Sequence, residues 1–314
     1  MTANPAAVDT VPLSRGRDAW RRRRAPATLV AAGLLLPAIL FLLVFFLVPA
    51  VALLGYGFLT NRADGSSGLP LTLAHYQHFF GTPLYAHVLF TTLRISLATT
   101  VAAVLLGYPA ALVMARNGLL SAAVTLIVIA PLVVSVVVRT YGWQLILGNG
   151  PQGLLNWTLM SLGVIRTPLR LLYSETAVVI GSLHVFLPMM VLPLAAALGK
   201  IDPRLNDAAR MLGAGAGRIF WRITLPLSVP GLAVGCGLVF SLTAGSYVTP
   251  AILGGPAGQM LGNLIEQQIL AVYDWPFGAA IATVLVVIVL AANLLSMRLI
   301  ERRGAVGRQA RQPA

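Results

Sequence analysis

A chain of 314 residues that is 58% hydrophobic and 10% charged, with a mean hydropathy of +0.85, is no soluble globular domain; such domains carry charge on about a quarter of their residues. The net charge of +13 does not point to nucleic acid either, because the basic residues gather at Arg15 to Arg24, Lys200 to Arg222 and Arg298 to Arg311, at the edges of apolar runs. There they act as topology signals and meet anionic lipid headgroups.

Several charge-free runs approach or exceed the roughly 20 residues that cross about 30 Å of hydrocarbon. The expected class is therefore an all-α polytopic membrane protein with six transmembrane helices. A basic tail, residues 1–26, precedes the first span, Leu29–Leu59. That run is too long for the core of a signal peptide and no clear small-residue cleavage site follows it, so an uncleaved anchor is expected. The second span is Ala86–Ala115 and the third Leu119–Leu147, joined by the tight turn Arg116-Asn117-Gly118. The fourth is Ser174–Leu198, the fifth Leu227–Leu253 and the sixth Phe277–Met297. The six-span region is thus 27–299, with a C-terminal tail at 300–314. With both termini cytoplasmic, only Arg62, Arg94, Arg139, Arg166 and Arg170 among the basic residues lie outside or at its edge, and that bias sets the orientation. Cys236, the only cysteine, rules out an intrachain disulfide and sits in span five between Gly235 and Gly237 as a packing residue. His75, His78 and His87 have no metal-ligand spacing and no interleaved carboxylate or cysteine, so no metal site is expected.

Between spans four and five lies a polar island, residues 200–226. Asp202-Pro203 is a helix start, with a carboxylate to cap free N–H groups and proline at the first helical position. Residues 204–212 favour helix, and Gly213 is its stop. A second short helix over 216–223 leads to Pro226. Ala208 and Ala209 give the first helix a face that another surface can approach closely, while Asp207 reaches Arg204 or Arg210 at helical spacing. On composition alone the island is equally an amphipathic loop lying on the membrane.

Its spacing is more specific. Asp207-Ala208-Ala209, then Gly213, then Ile223, Leu225 and Pro226, resembles the EAA loop of membrane subunits in ATP-binding-cassette importers, with Asp207 in place of the usual Glu. The resemblance implies a type I importer permease fold and a docking element formed by Asp207, Ala208, Ala209 and Gly213. Ile223, Leu225 and Pro226 would anchor the return to the bilayer. It further implies a cytoplasmic ATPase dimer, a second permease subunit and an extracytoplasmic solute-binding protein as partners. No G-x-x-x-x-G-K-[ST] occurs and Lys200 is the only lysine, so no cofactor is expected on this chain; ATP and Mg belong to the separate ATPase.

Further segments resemble polyamine permeases, the first permease of spermidine/putrescine importers above all. They are Gly245-Ser246-Tyr247-Val248-Thr249-Pro250, Leu253-Gly254-Gly255, Leu261-Gly262-Asn263 to Gly278, Val138-Arg139-Thr140-Tyr141 with Trp143, and His184 to Pro193. The resemblance implies a multi-pass bacterial inner-membrane protein moving a small solute by alternating access. An ammonium cargo favours carboxylates and aromatic faces, which makes Tyr247, Glu266, Asp274 and Trp275, with Arg139, the candidate pathway or gate. Glu266 and Asp274 need not share a helix face, and capping a span end or contacting the binding protein suits them equally. Arg94 and Arg139 either snorkel to the interface or pair with an outer carboxylate. The glycines and Pro250 at 245–255 fit a broken helix lining a cavity, or close helix packing. A permease for another small solute fits the same pattern. An ion-driven secondary transporter fits less well, because no ionisable residue is clearly placed near the midplane. An intramembrane enzyme fits least, with no HExxH, GxSxG or carboxylate pair in the chain.

Overall fold

The computed structural model describes residues 27–61, 67–116 and 118–309, so the expected N-terminal tail lies outside the described residues. The chain divides into two compact units, Met1–Leu53 and Leu54–Ala314. In the first, α1 (Ala27–Leu42) passes through a π-helical turn, Leu43–Leu47, into α2 (Val48–Tyr56). The span Leu34–Tyr56 has a mean hydropathy of 2.9. The widened turn has a local cause. Pro49 has no N–H for the carbonyl of Phe45 four residues back, and its ring crowds that carbonyl, so the helix loosens ahead of it.

α2 ends three residues inside the second unit, and an antiparallel hairpin follows, β1 (Leu59–Asn61) and β2 (Ser67–Leu71), which the span reading did not anticipate. Thr60 Oγ1 donates to the Pro70 carbonyl across it (2.6 Å). A short helix, α3 (Ala74–Gly81), leads to α4 (Pro83–Met114), a 32-residue span. The third expected span is not straight. α5 (Leu119–Val133) and α6 (Val136–Ile146) meet at 105°, because Val134 and Ser135 are extended (ψ 137° and 138°) just after Pro131. α7 (Leu154–Ser161) follows, then α8 (Glu175–Leu198), which matches span four and is capped by the Ser174 hydroxyl accepting from Ala177 N.

The fifth span starts earlier and ends sooner than expected. It runs through α10 (Ala216–Ile219), a second π turn (Phe220–Thr224) and α11 (Leu225–Ala244). This π turn also ends two residues before a proline, Pro226, whose ring faces the carbonyl of Arg222. The helix then breaks at Gly245, Ser246 and Tyr247, and 248–253 form a separate helix, α12. The break is held by Asn263, whose Nδ2 donates to the Tyr247 carbonyl (2.9 Å). α13 (Leu261–Leu270) and α14 (Trp275–Gln309) complete the chain, α14 continuing past Met297 into the expected tail. Among the described residues five helices are long and apolar enough to cross a membrane, or six with the bent pair taken as one span.

α4, α8 and α11 form the packed centre. The inner face of α4 carries Thr92, Ser96, Thr100, Ala103 and Gly107, all buried and small, the composition that lets membrane helices approach closely. Their hydroxyls return to the carbonyl one turn back, Thr92 to Val88 (2.8 Å) and Ser96 to Thr92 (2.7 Å). Thr92 Oγ1 also accepts from Leu261 N (2.9 Å), fixing the start of α13 against α4.

Lower in the same bundle the Tyr108 hydroxyl meets Ser228 Oγ (2.8 Å), and Ser228 donates to the Leu225 carbonyl (3.0 Å), so the phenol is the donor between them. Tyr108→Phe should cost about 1 kcal/mol and Ser228→Ala about 2 kcal/mol, because the second strands a buried phenol proton. Chemical unfolding in detergent measures both, and the reverse ranking would show that the donor assignment is wrong.

Candidate coupling segment and translocation route

The polar island folds as its residue types dictate. The Asp202 side chain accepts from Arg204 N (2.9 Å) and Pro203 takes the first position of α9 (Pro203–Met211). The helix ends in a left-handed residue, Gly213, at φ 76°. Gly213 N donates to the Arg210 carbonyl (2.9 Å) and Ala214 N to the Ala209 carbonyl (3.0 Å). Those are the two bonds of a Schellman stop, which glycine permits at no steric cost. Asp207 and Ala208 are exposed and Ala209 is half-buried. Asp207 sits 3.7 Å from Arg210, with both side chains about 70% exposed, so the pair contributes little.

Met211 and Leu212, 90% and 87% exposed, stand at the tip just before the turn. They carry the largest apolar surface of the segment, and motif spacing gave no sign of them. The return is anchored mainly by residues the motif does not name. Ile219 is buried, and the Phe220 ring lies edge-on to Tyr108 at 5.5 Å. Of the expected anchors Leu225 packs on that cluster, Ile223 is half-buried and Pro226 is exposed. A cavity of about 710 Å³ opens beside the segment, lined by Lys200, Asp202 and Leu205 and, across from them, Leu227, Pro230 and Gly231.

The five candidate pathway residues do not form one site. Tyr247 and Glu266 line a common cavity of about 450 Å³ with Gly245, Gly262 and Ile269, at the break after α11. Asp274 is engaged elsewhere, its Oδ1 accepting from Phe277 N (3.0 Å) as the cap of α14. Trp275 opens that helix and is half-exposed. Arg139 lies on α6, apart from the cavity-lining residues.

Arg94 has found its outer carboxylate, donating through Nη2 to Glu175 Oε1 and so joining α4 to the start of α8. Arg139 has not. Its Nε and Nη1 are enclosed with no hydrogen-bond partner. Beside it Trp143 Nε1 donates to His184 Nδ1 (3.0 Å), a pairing across 41 positions that no local spacing signals. Two of the other histidines are occupied structurally, His75 Nε2 on the Leu59 carbonyl (3.0 Å) and the His78 ring against Phe277 (5.1 Å).

A bundle of apolar helices with a broken span, a cavity at the break and a capped polar hairpin between two spans is the architecture of a membrane permease. Residues 103–303 match the family model of binding-protein-dependent transport system inner membrane components, and the chain belongs to that family. It is a permease subunit of an ATP-binding-cassette importer, a transport component set in the inner membrane. The spermidine/putrescine transport system permease protein PotB of Haemophilus influenzae is 35% identical over 272 residues, covering 85% of this chain and 94% of that one. PotB of Escherichia coli is 35% identical over 249 residues, covering 79% and 90%. Among solved structures, a chain of a bacterial alginate ABC transporter in complex with an alginate-bound periplasmic protein superposes with a TM-score of 0.65 at 20% identity, covering 91% of this chain and 96% of that one. That likeness speaks for the fold.

Proposed function

We propose that this chain is the first permease of a polyamine importer. It pairs with a second permease, receives solute from an extracytoplasmic binding protein, and is driven through residues 202–223 by a separate cytoplasmic ATPase dimer that holds ATP and Mg. Both termini are then cytoplasmic, as the clustered arginines favour. The observation that carries the cargo is the 35% identity to a spermidine/putrescine permease along 94% of its length. The cavity at the helix break supports it, since a carboxylate and an aromatic face, Glu266 and Tyr247, suit an ammonium group.

The test is ATPase activity of the reconstituted complex with its binding protein. Spermidine or putrescine should stimulate it, and amino acids, sulfate and iron chelates should not. Stimulation by a non-amine alone would remove the polyamine assignment. Glu266→Gln keeps the shape and removes the charge, and should raise the KM for spermidine about tenfold, equivalent to about 1.4 kcal/mol. An unchanged KM would place the solute elsewhere.

A further inference from the structure

Arg139 is the one membrane-embedded cation among the described residues whose place in this chain leaves it uncompensated. Its depth follows from its neighbours. His184 lies about 14 Å along the α8 axis from Glu175 and about 21 Å from Leu198, at 1.5 Å per residue. Trp143 is bonded to His184, and Arg139 is one turn from Trp143 on the same face of α6. The guanidinium therefore sits near the middle of a hydrocarbon layer about 30 Å thick, deeper than the outer edge to which charge bias alone assigns it, and out of reach of a lipid phosphate or of a binding protein at the surface.

Among the described residues nothing neutralises it. The Trp143 indole is a donor only, so His184 Nδ1 is the unprotonated nitrogen and the ring, bonded this way, is a neutral group. The described carboxylates are elsewhere. Glu175 holds Arg94, Asp202 caps α9, Asp207 lies beside Arg210 and Asp274 caps α14. Glu266 lines the cavity with Tyr247 and makes no ion pair with Arg139. An unpaired charge at this depth is costly, and ionisable groups there are paired or face a bundle interior. Nε and Nη1 are already enclosed, so the side chain is not snorkelling outward, yet the residue as a whole is still partly exposed. A polyamine cannot be the missing partner, since it bears the same charge.

We infer that Arg139 is half of an intersubunit ion pair, its exposed edge accepting a membrane-embedded carboxylate of the second permease subunit. The inference rests on the pairing with a second permease put forward above. It also gives the arginine a use in a cation importer: once neutralised, it fixes the two permeases in register without repelling the cargo.

The experiment uses the complete complex in native membranes. A photoreactive benzoylphenylalanine in place of Arg139 should crosslink to the second permease. Arg139→Glu should cut recovery of the second permease with this chain at least tenfold, and changing one membrane-embedded Asp or Glu of that subunit to Arg should restore it. Arg139→Gln, which adds no repulsion, should give a smaller loss. Capture of lipid alone or of a second copy of this chain, or failure of every carboxylate reversal to restore recovery, overturns the ion pair. Recovery of the second permease with the unmodified chain reports separately on the pairing itself. If the two never co-purify, the heteromeric reading falls; if they do and Arg139→Gln changes nothing, the ion pair alone falls. Both readouts are independent of the cargo.

Discussion

Gly231→Leu will leave little or no folded permease to purify, and Gly231→Ala will already be clearly less stable than the unmodified chain. A β-carbon at Gly231 lands 2.4 Å from the Ala197 β-carbon and 2.8 Å from the Pro193 carbonyl oxygen, and both belong to a helix that cannot step aside. α8 and α11 meet here at backbone distance, with van der Waals packing as the main attraction available between helices in lipid. Overpacking of this kind costs about 3 kcal/mol or more when backbone must move, a large share of the roughly 5–15 kcal/mol that holds a domain together. Gly235→Ala will be milder, because its closest neighbour at 2.7 Å is the flexible Met190 sulfur and the nearest backbone atom, the Met190 carbonyl oxygen, stands at 3.0 Å. Gly217→Ala, where a β-carbon would meet nothing within 4 Å, is the control. Size-exclusion profiles and thermal unfolding in detergent rank the four. A stable Gly231→Leu protein would mean that α8 and α11 do not cross so closely.

Gly213→Val will abolish most of the substrate stimulation of ATP hydrolysis while leaving the fold intact. The position has φ 76° and open space around a β-carbon, so the cost is purely conformational, about 1–2 kcal/mol, and confined to an exposed turn. Valine escapes it by leaving the left-handed region, which breaks the Schellman bonds and changes the angle at which α9 meets α10. Spermidine-stimulated ATPase activity should fall at least tenfold, with the thermal midpoint nearly unchanged. Gly213→Asn should retain most activity, since asparagine tolerates that conformation. Full coupling in the valine variant would show that residues 202–223 do not transmit the force.

How much of this was legible beforehand differed by feature. Capping chemistry is local, so Asp202 and Gly213 announced the helix ends they make. Membrane hydropathy registers how much apolar chain is present but not its direction. It therefore ran straight through Val134 and Ser135, where α5 and α6 part at 105°, whereas the glycines and Pro250 at 245–255 offered the broken helix as one of two readings. That break depends on Asn263, 16 positions on, and the Trp143–His184 bond spans 41. Neither leaves a local trace. Of the three roles open to Asp274, the structure realises the cap, and of those open to Arg94, the ion pair. The segment's exposed tip, Met211 and Leu212, was hidden because an apolar pair beside a membrane reads as buried.

The π turn before Pro226 has a mechanical meaning. From Ala216 to Ala244 the chain is continuously helical, about 44 Å at 1.5 Å per residue, with no loop between its ends. One end adjoins the exposed turn at Gly213, and the other stops at Gly245 against the cavity that holds Tyr247 and Glu266. A rotation applied at the first end therefore arrives at the second as a change in the cavity wall. The single widened turn, in which Leu225 N donates to the Phe220 carbonyl, keeps that rod hydrogen-bonded up to Pro226.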